Sequence, residues 1–151
     1  MSALKMIAIG RKLANIYAEL SAPICRRYGL NQTCFDVLLF CANNPENNTA
    51  RDICAVRGIK SGIASVAVET LIQNGYMTRE SDPADRRIRR LIPTEKAIPL
   101  IDEGRTMQKR FADTLRSGIT QDELASFMTM TDKLEKNIMM LECKEFADDN
   151  N

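Results

Sequence analysis

The sequence predicts a mostly α-helical chain that carries one small β-hairpin, and three observations predict it. Apolar residues recur at three- and four-residue steps along most of its length. Glycines and capping residues punctuate those segments where helices should start and stop. One stretch alone, around Asp82-Pro83, is a turn flanked by strand-like residues.

The elements follow in order. Met6, Ile9, Leu13, Ile16, Leu20 and Ile24 form a single apolar stripe on a long first helix, which Pro23 should kink near its end. Gly29 is placed to end that helix in the left-handed conformation; Asn31 caps the next, with Leu30 and Phe35 as a hydrophobic staple. The second helix, through Leu38, Leu39 and Ala42, is apolar enough to be mostly buried. Turn chemistry from Asn43 to Asn48 precedes a short third helix, Thr49 to Val56, capped by Thr49. Gly58 breaks the chain, and a fourth helix runs from Ser61 to Asn74, closed by Gly75. Two helices meeting across Arg57-Gly58-Ile59-Lys60 make a helix-turn-helix.

A three-residue strand near Tyr76 and a second from Ile88 to Ile92 bracket the turn and complete a wing. Thr94 should cap a helix running to about Arg116, with Pro99 costing a hydrogen bond or bending its first turn. The last helix opens on a full capping box, Thr120 to Glu123, and a staple, Ile119 to Leu124. Along it Leu124, Phe127, Leu134, Ile138 and Leu141 keep a near-heptad spacing that suits packing against another helix or a second subunit.

Size and composition bound the function. A chain of 151 residues, 44% hydrophobic and 27% charged, is expected to form a single domain with a core that needs no staples. Its five cysteines, Cys25, Cys34, Cys41, Cys54 and Cys143, are odd in number and form no CxxC pair, which speaks against a disulfide framework. No histidine is present, so the commonest general base and metal ligand are both missing. An enzyme, a metal site and a cofactor are therefore not expected. No apolar run reaches the ~18 residues of a membrane span, and the apolar stretch near the start is too short for a secretory signal, so a cytoplasmic protein is expected.

The formal net charge is +1, which advertises no overall attraction to nucleic acid. Locally the balance differs. Between Arg57 and Lys96 eight basic residues face five acidic ones, and four of the eight, Arg86, Arg87, Arg89 and Arg90, leave the turn together. The chain from Glu142 to Asn151 is acidic. A cationic hairpin behind a helix-turn-helix points to a winged-helix DNA reader. A solvated hairpin whose arginines pair with Glu80, Asp82 and Asp85 is the alternative.

From about Tyr28 to Ala97 the chain resembles the MarR family of bacterial winged-helix regulators. The resemblance rests on Tyr28-Gly29-Leu30, Arg51-Asp52-Ile53-Cys54-Ala55, Glu69-Thr70-Leu71 with Gly75-Tyr76, Asp82-Pro83-Ala84-Asp85-Arg86-Arg87, and Thr94-Glu95-Lys96. The wing motif is its specific part. It implies a winged helix-turn-helix core over about residues 31–97, with N- and C-terminal dimerisation helices over about 1–27 and 100–146. It further implies a homodimer on a palindromic, inverted-repeat operator, usually as a repressor, released when a small aromatic or lipophilic effector binds or a cysteine is oxidised.

Carried over residue by residue, the resemblance makes Asp85 the acid that orients the wing and Arg87 the minor-groove arginine. Arg86 becomes a phosphate contact, and Arg89 a strand residue of mixed role. Lys60 and Thr49 sit where helix starts meet phosphates; ordinary surface charge and ordinary cap are the alternatives. The outer face of the fourth helix departs from the family pattern, reading Ser61, Gly62, Ile63, Ser65, Val66 and Thr70 with no guanine-reading arginine. Either Ile63 and Val66 meet thymine methyls while Ser61 and Ser65 bond base edges, or the two apolar residues are packed inside.

Two sensing mechanisms stand beside this. A thiol switch would use Cys34 and Cys41, seven residues apart on one helix face, yet their apolar neighbours argue for inert sulfur. A bound effector would find flexible Met107, Met128, Met130, Met139 and Met140 lining or merely filling its surroundings. A winged-helix module that binds protein and not DNA is the reading from a different class.

Overall fold

The computed structural model describes residues 2–148, with side chains for Ser2 and for residues 4–140. Backbone contacts divide the chain into two compact units, residues 1–111 and 112–151.

The first unit is assembled around a helix that faces almost no solvent. Helix α1, Ala3–Tyr28, ends at Gly29, whose φ of 66° lets Leu30 N–H reach back to the Cys25 carbonyl. Asn31 then caps α2, Gln32–Asn43, its Oδ1 accepting from Cys34 N–H at 2.8 Å. Between Cys34 and Cys41 every residue of α2 except Asp36 is buried. Helices α3, Ala50–Arg57, and α4, Ser61–Gln73, turn on Gly58 at φ 61° and pack against it. Strands β1, Met77–Ser81, and β2, Arg89–Pro93, pair antiparallel with Met77 opposite Pro93 and Ser81 opposite Arg89. A short 3₁₀ turn, Glu95–Ala97, leads into α5, Ile98–Arg116. The core joins Phe35, Leu38 and Leu39 to Ile53, Leu71, Met77, Leu91 and Leu100, all fully buried, each stabilising the fold by about 1.5–3 kcal/mol.

The second unit contains α6, Gln121–Asp148. Its start is held by the expected capping box: Glu123 Oε2 accepts from Thr120 N–H at 2.8 Å, and Thr120 Oγ1 accepts from Glu123 N–H at 3.3 Å. Phe127 and Ile138 stand exposed on it, and Leu141 lies beyond the described side chains, as do Cys143 and the acidic stretch that follows.

The expected order of helices and hairpin is observed, with local corrections. The first strand is five residues long, Met77–Ser81, and the second is shifted by one to Arg89–Pro93. Thr94 occupies a cap position without capping, because its hydroxyl donates to the Gly75 carbonyl at 2.7 Å and ties the wing's end to the end of α4. With that first turn wound as 3₁₀, the α-helix begins at Ile98, and Pro99 falls where a missing N–H is tolerated. Of the apolar stripe on α1, Ile24 is buried while Met6, Ile9, Ile16 and Leu20 are exposed. Among the methionines named from the sequence, Met107 is buried and Met128, Met130, Met139 and Met140 are exposed.

At Gly104 helix α5 packs tightly against Leu39 of α2. A Cβ there would lie 2.7 Å and 2.9 Å from the two methyls of buried Leu39. Gly104→Val should therefore lower unfolding free energy by about 1–3 kcal/mol, read from the urea midpoint. A variant as stable as the parent would show that Leu39 has room to move.

Candidate nucleic-acid interface

Helix α4 divides into a buried and an exposed face and so decides between the two readings of Ile63 and Val66. Ala64, Ala67, Val68 and Leu71 are buried, whereas Ser61, Gly62, Ile63, Ser65, Val66 and Glu69 face solvent. Ile63 is 50% and Val66 68% exposed, which removes the alternative that these two pack inside this chain's core. Lys60 stands at the helix start with an exposed side chain and makes no cap hydrogen bond. Thr49 is half-buried; its hydroxyl donates to Asp52 Oδ2 at 2.7 Å and accepts from Asp52 N–H, closing a capping box on α3. Those bonds hold the Asp52 carboxyl below its ordinary value.

The wing tip is built from its own carboxylates and backbone. Asp82 Oδ1 accepts from Ala84 N–H at 2.8 Å and Asp85 N–H at 3.3 Å, while Asp85 Oδ1 accepts from Arg87 N–H at 2.9 Å. Asp82 N–H and the Ile88 carbonyl close the loop at 3.0 Å. Asp85 thus shapes the backbone at Arg87 and leaves the guanidinium out of the bond.

The arginines divide into two kinds. Arg90 Nε donates to Asp82 Oδ2 at 2.8 Å, and its Nη1 donates to the Glu46 carbonyl at 2.6 Å. Beside it, Leu91 N–H donates to the carbonyl of buried Asn48 at 3.0 Å. Together these bonds fasten the wing to the loop between α2 and α3. Arg89 donates to Ser81 Oγ at 2.7 Å, and Arg79 pairs with Glu69 at 2.7 Å, joining β1 to the outer face of α4. Arg86 and Arg87 are exposed and form no ion pair or side-chain hydrogen bond among the described residues.

So one arginine of the pairing alternative, Arg90, does meet Asp82, and the two at the tip do not. The wing's fastening through Glu46 and Asn48 was illegible in Asn43–Asn48, where turn chemistry masks the acceptors. Arg79 was equally silent, since only spatial proximity makes Glu69 its partner.

Cysteine chemistry is muted. Burial pushes the thiols of Cys25 and Cys34 up and that of Cys41 up to about 12, so none offers a ready thiolate. Cys54 is half-buried. No group of His, Cys, Asp and Glu among the described residues has the arrangement of a metal site, and no described helix is long and apolar enough to cross a membrane.

A helix-turn-helix followed directly by a paired hairpin defines the winged helix-turn-helix class. The sequence model of the MarR family matches residues 28–88, which span α2, α3, α4, β1 and the wing tip. Over that stretch the chain is similar to the MarR family, and it shares the winged helix-turn-helix fold of solved MarR structures. Among solved structures, transcriptional regulator PA3341 is 24% identical and superposes with a TM-score of 0.71 over 87% of this chain and 98% of that one. CouR from Rhodococcus jostii RHA1, bound to p-coumaroyl-CoA, is 21% identical over 83% of this chain and 85% of its own, with a TM-score of 0.65. The S. aureus MepR–DNA complex is 15% identical over 90% and 97%, with a TM-score of 0.56.

Arg90 lowers the Asp82 carboxyl below the ordinary carboxylate range through their hydrogen bond, helped by the Ala84 and Asp85 amides. Stability from that pair is present above the unfolded carboxylate's pKa and is lost as pH falls through the folded one. Carboxyl NMR titration should show a low midpoint for Asp82 that rises in Arg90→Ala. An unmoved midpoint would mean that the amides alone hold it.

Proposed function

We propose that this protein is a transcriptional repressor that binds an inverted-repeat operator as a homodimer, through α4 and the wing, and is released by a small aromatic or lipophilic effector. The observation that carries the DNA reading is the pair of guanidiniums, Arg86 and Arg87, unpartnered among the described residues, on a hairpin whose Arg79 and Arg90 are already paired with Glu69 and Asp82 and whose Arg89 is bonded to Ser81. Loose cations on a fastened support are what a phosphate ladder requires. Arg87 inserts into the minor groove, oriented by Asp85, while Arg86 and Lys60 take phosphates. Ser61, Gly62, Ile63, Ser65 and Val66 face the major groove. At the start of α3 the amides of Ala50 and Arg51 face a phosphate, the Thr49 hydroxyl and amide being occupied by Asp52. Arg89, tied to Ser81, supports the strand and touches the backbone. That MepR, similar in fold, was solved in complex with DNA supports the DNA reading.

Dimerisation is supported separately by each unit. Leu4, Ile7, Ile9, Ile16 and Leu20 stand exposed on α1; on α6 the same holds for Phe127, Met128, Met130, Ile138, Met139 and Met140. Rows of bare apolar side chains on long helices mark association surfaces. A two-fold pair would present two α4 helices to successive major grooves roughly 34 Å apart. Effector binding is supported by the CouR structure bound to p-coumaroyl-CoA, and burial of Cys25, Cys34 and Cys41 disfavours oxidation as the trigger.

The test is a mobility-shift titration with duplex from the region upstream of the protein's own coding sequence. Arg87→Ala should weaken binding by about 1–3 kcal/mol and lower the slope of log K against log salt by roughly one per wing. Unchanged affinity and slope would remove Arg87 from the interface. Absence of any shift would instead leave the apolar face of α4 as a protein-docking surface, and a monomer in sedimentation would end the two-fold reading.

A further inference from the structure

We propose that α4 reads its half-site through the 5-methyl groups of pyrimidines, with Ile63 and Val66 as the specificity-determining residues. This rests on the reading that α4 enters the major groove. There, guanine is recognised by bidentate arginine or lysine and adenine by bidentate asparagine or glutamine, while the pyrimidine methyl is recognised by apolar contact. From Ser61 to Ile72 the helix contains no arginine, lysine, asparagine or glutamine. Its one charged side chain, Glu69, faces outward but is held by Arg79. The remaining outward surface consists of two hydroxyls, a glycine and two branched apolar chains.

Those apolar chains form a shaped surface. Ile63 and Val66 lie three residues apart and so sit one above the other on the helix. With Gly62, Ala67, Asn31 and Thr33 they line a shallow open cleft of about 350 Å³. A Cβ at Gly62 would meet nothing within 4 Å, so the backbone there is open to a close approach. Beside the patch stand Ser61, Ser65 and the exposed ammonium of Lys60, which has no ion pair among the described residues. An exposed apolar patch bordered by that cation, behind a hairpin carrying two more, is complementary to a surface that is anionic at its edges and apolar at isolated points within. The major groove with its methyls is such a surface.

The recognised chemistry has two sources, thymine and 5-methylcytosine, which place the methyl at the same point of the groove. Duplexes enriched from a random library by the full-length protein supply the probes. Each thymine of the selected half-site is replaced by deoxyuridine, which deletes only the methyl. At positions under α4 this should weaken binding about fourfold per methyl in each half-site, the transfer cost of one buried carbon. Ile63→Ala and Val66→Ala, both surface changes compatible with folding, should erase the difference between the thymine and deoxyuridine duplexes. At the same positions, 5-methylcytosine should bind more tightly than cytosine if either base serves. Deoxyuridine sensitivity without that gain makes thymine the sole source and still supports methyl reading.

Equal binding of the thymine and deoxyuridine duplexes would overturn the proposal, as would sensitivity that survives both alanine variants. Arg87→Ala, run in parallel, separates the two levels of inference. If it weakens binding while deoxyuridine has no effect, the groove reading stands and methyl recognition falls. If it has no effect and no duplex is enriched, the groove reading itself has failed.

Discussion

Nearly everything in the first unit is positioned by the burial of α2. Seven of its residues, Cys34, Phe35 and the run from Val37 to Cys41, are closed off from water, so α1, α3, α4 and β2 must surround it. An α-helix with apolar residues on nearly all sides has no stable exposed arrangement, and interiors packed to native density leave little freedom in how neighbours lie against it. Helix α4 and the wing thereby acquire fixed places, each adding only its inward side chains, Leu71, Met77 and Leu91 among them, to the core. Their outward faces are then free to be chosen for solvent or for a ligand.

The one carboxylate on that stretch of α2 shows what such burial costs. Desolvation raises the Asp36 carboxyl above its ordinary value, and the Arg57 guanidinium 2.7 Å away, with a bond from Gln32, offsets that only in part. Arg57 closes α3 just before the turn into α4, so the pair links the core helix to the helix-turn-helix corner. Because Asp36 binds its proton more readily in the folded state, ionising it costs stability, and acid relieves the cost as pH falls through the raised value. Asp52, Asp82 and Glu123 behave oppositely: held low by hydrogen bonds, they lend stability that acid removes. Acid sensitivity should consequently fall at the α3 cap, the wing, the start of α6 and the tie between α5 and the end of α1, where Tyr28 and Arg27 hold Glu103 low as well, leaving α2 in place.

How much of this was legible in the chain depends on the range over which each cause acts. Caps and helix ends are local, and Gly29, Asn31, Thr49, Gly58 and Thr120 stand where the periodicity places them. The exposure of Ile63 and Val66 was not legible, because helical spacing alone cannot say which apolar residues a particular core has room for. Thr94 misled for a similar reason: its hydroxyl had a distant carbonyl, that of Gly75, in better reach than its own helix start. The fastening of Arg90 to Glu46 and Asn48 spans more than forty residues of sequence. No local pattern encodes such a bond.

That fastening also decides how a chain with almost no net charge can present a cationic tip. Five arginines, two aspartates and a glutamate in one hairpin would neutralise each other in part if they were free to pair. Here Asp82 is saturated by Arg90 and two amides, and Asp85 has turned one oxygen to the Arg87 backbone. The carboxylates that sit nearest to Arg86 and Arg87 are therefore engaged in shaping the loop, and exposed ion pairs that remained available would be worth little in water. The guanidiniums stay solvated and unpaired at the end of a support anchored to the core through β2. Since Asp82 holds both the loop and Arg90, removing its charge would release a competitor-free arginine while dismantling the platform that aims the other two. Charge at the wing is consequently a property of the hydrogen-bond arrangement, and counting residues of each sign understates it.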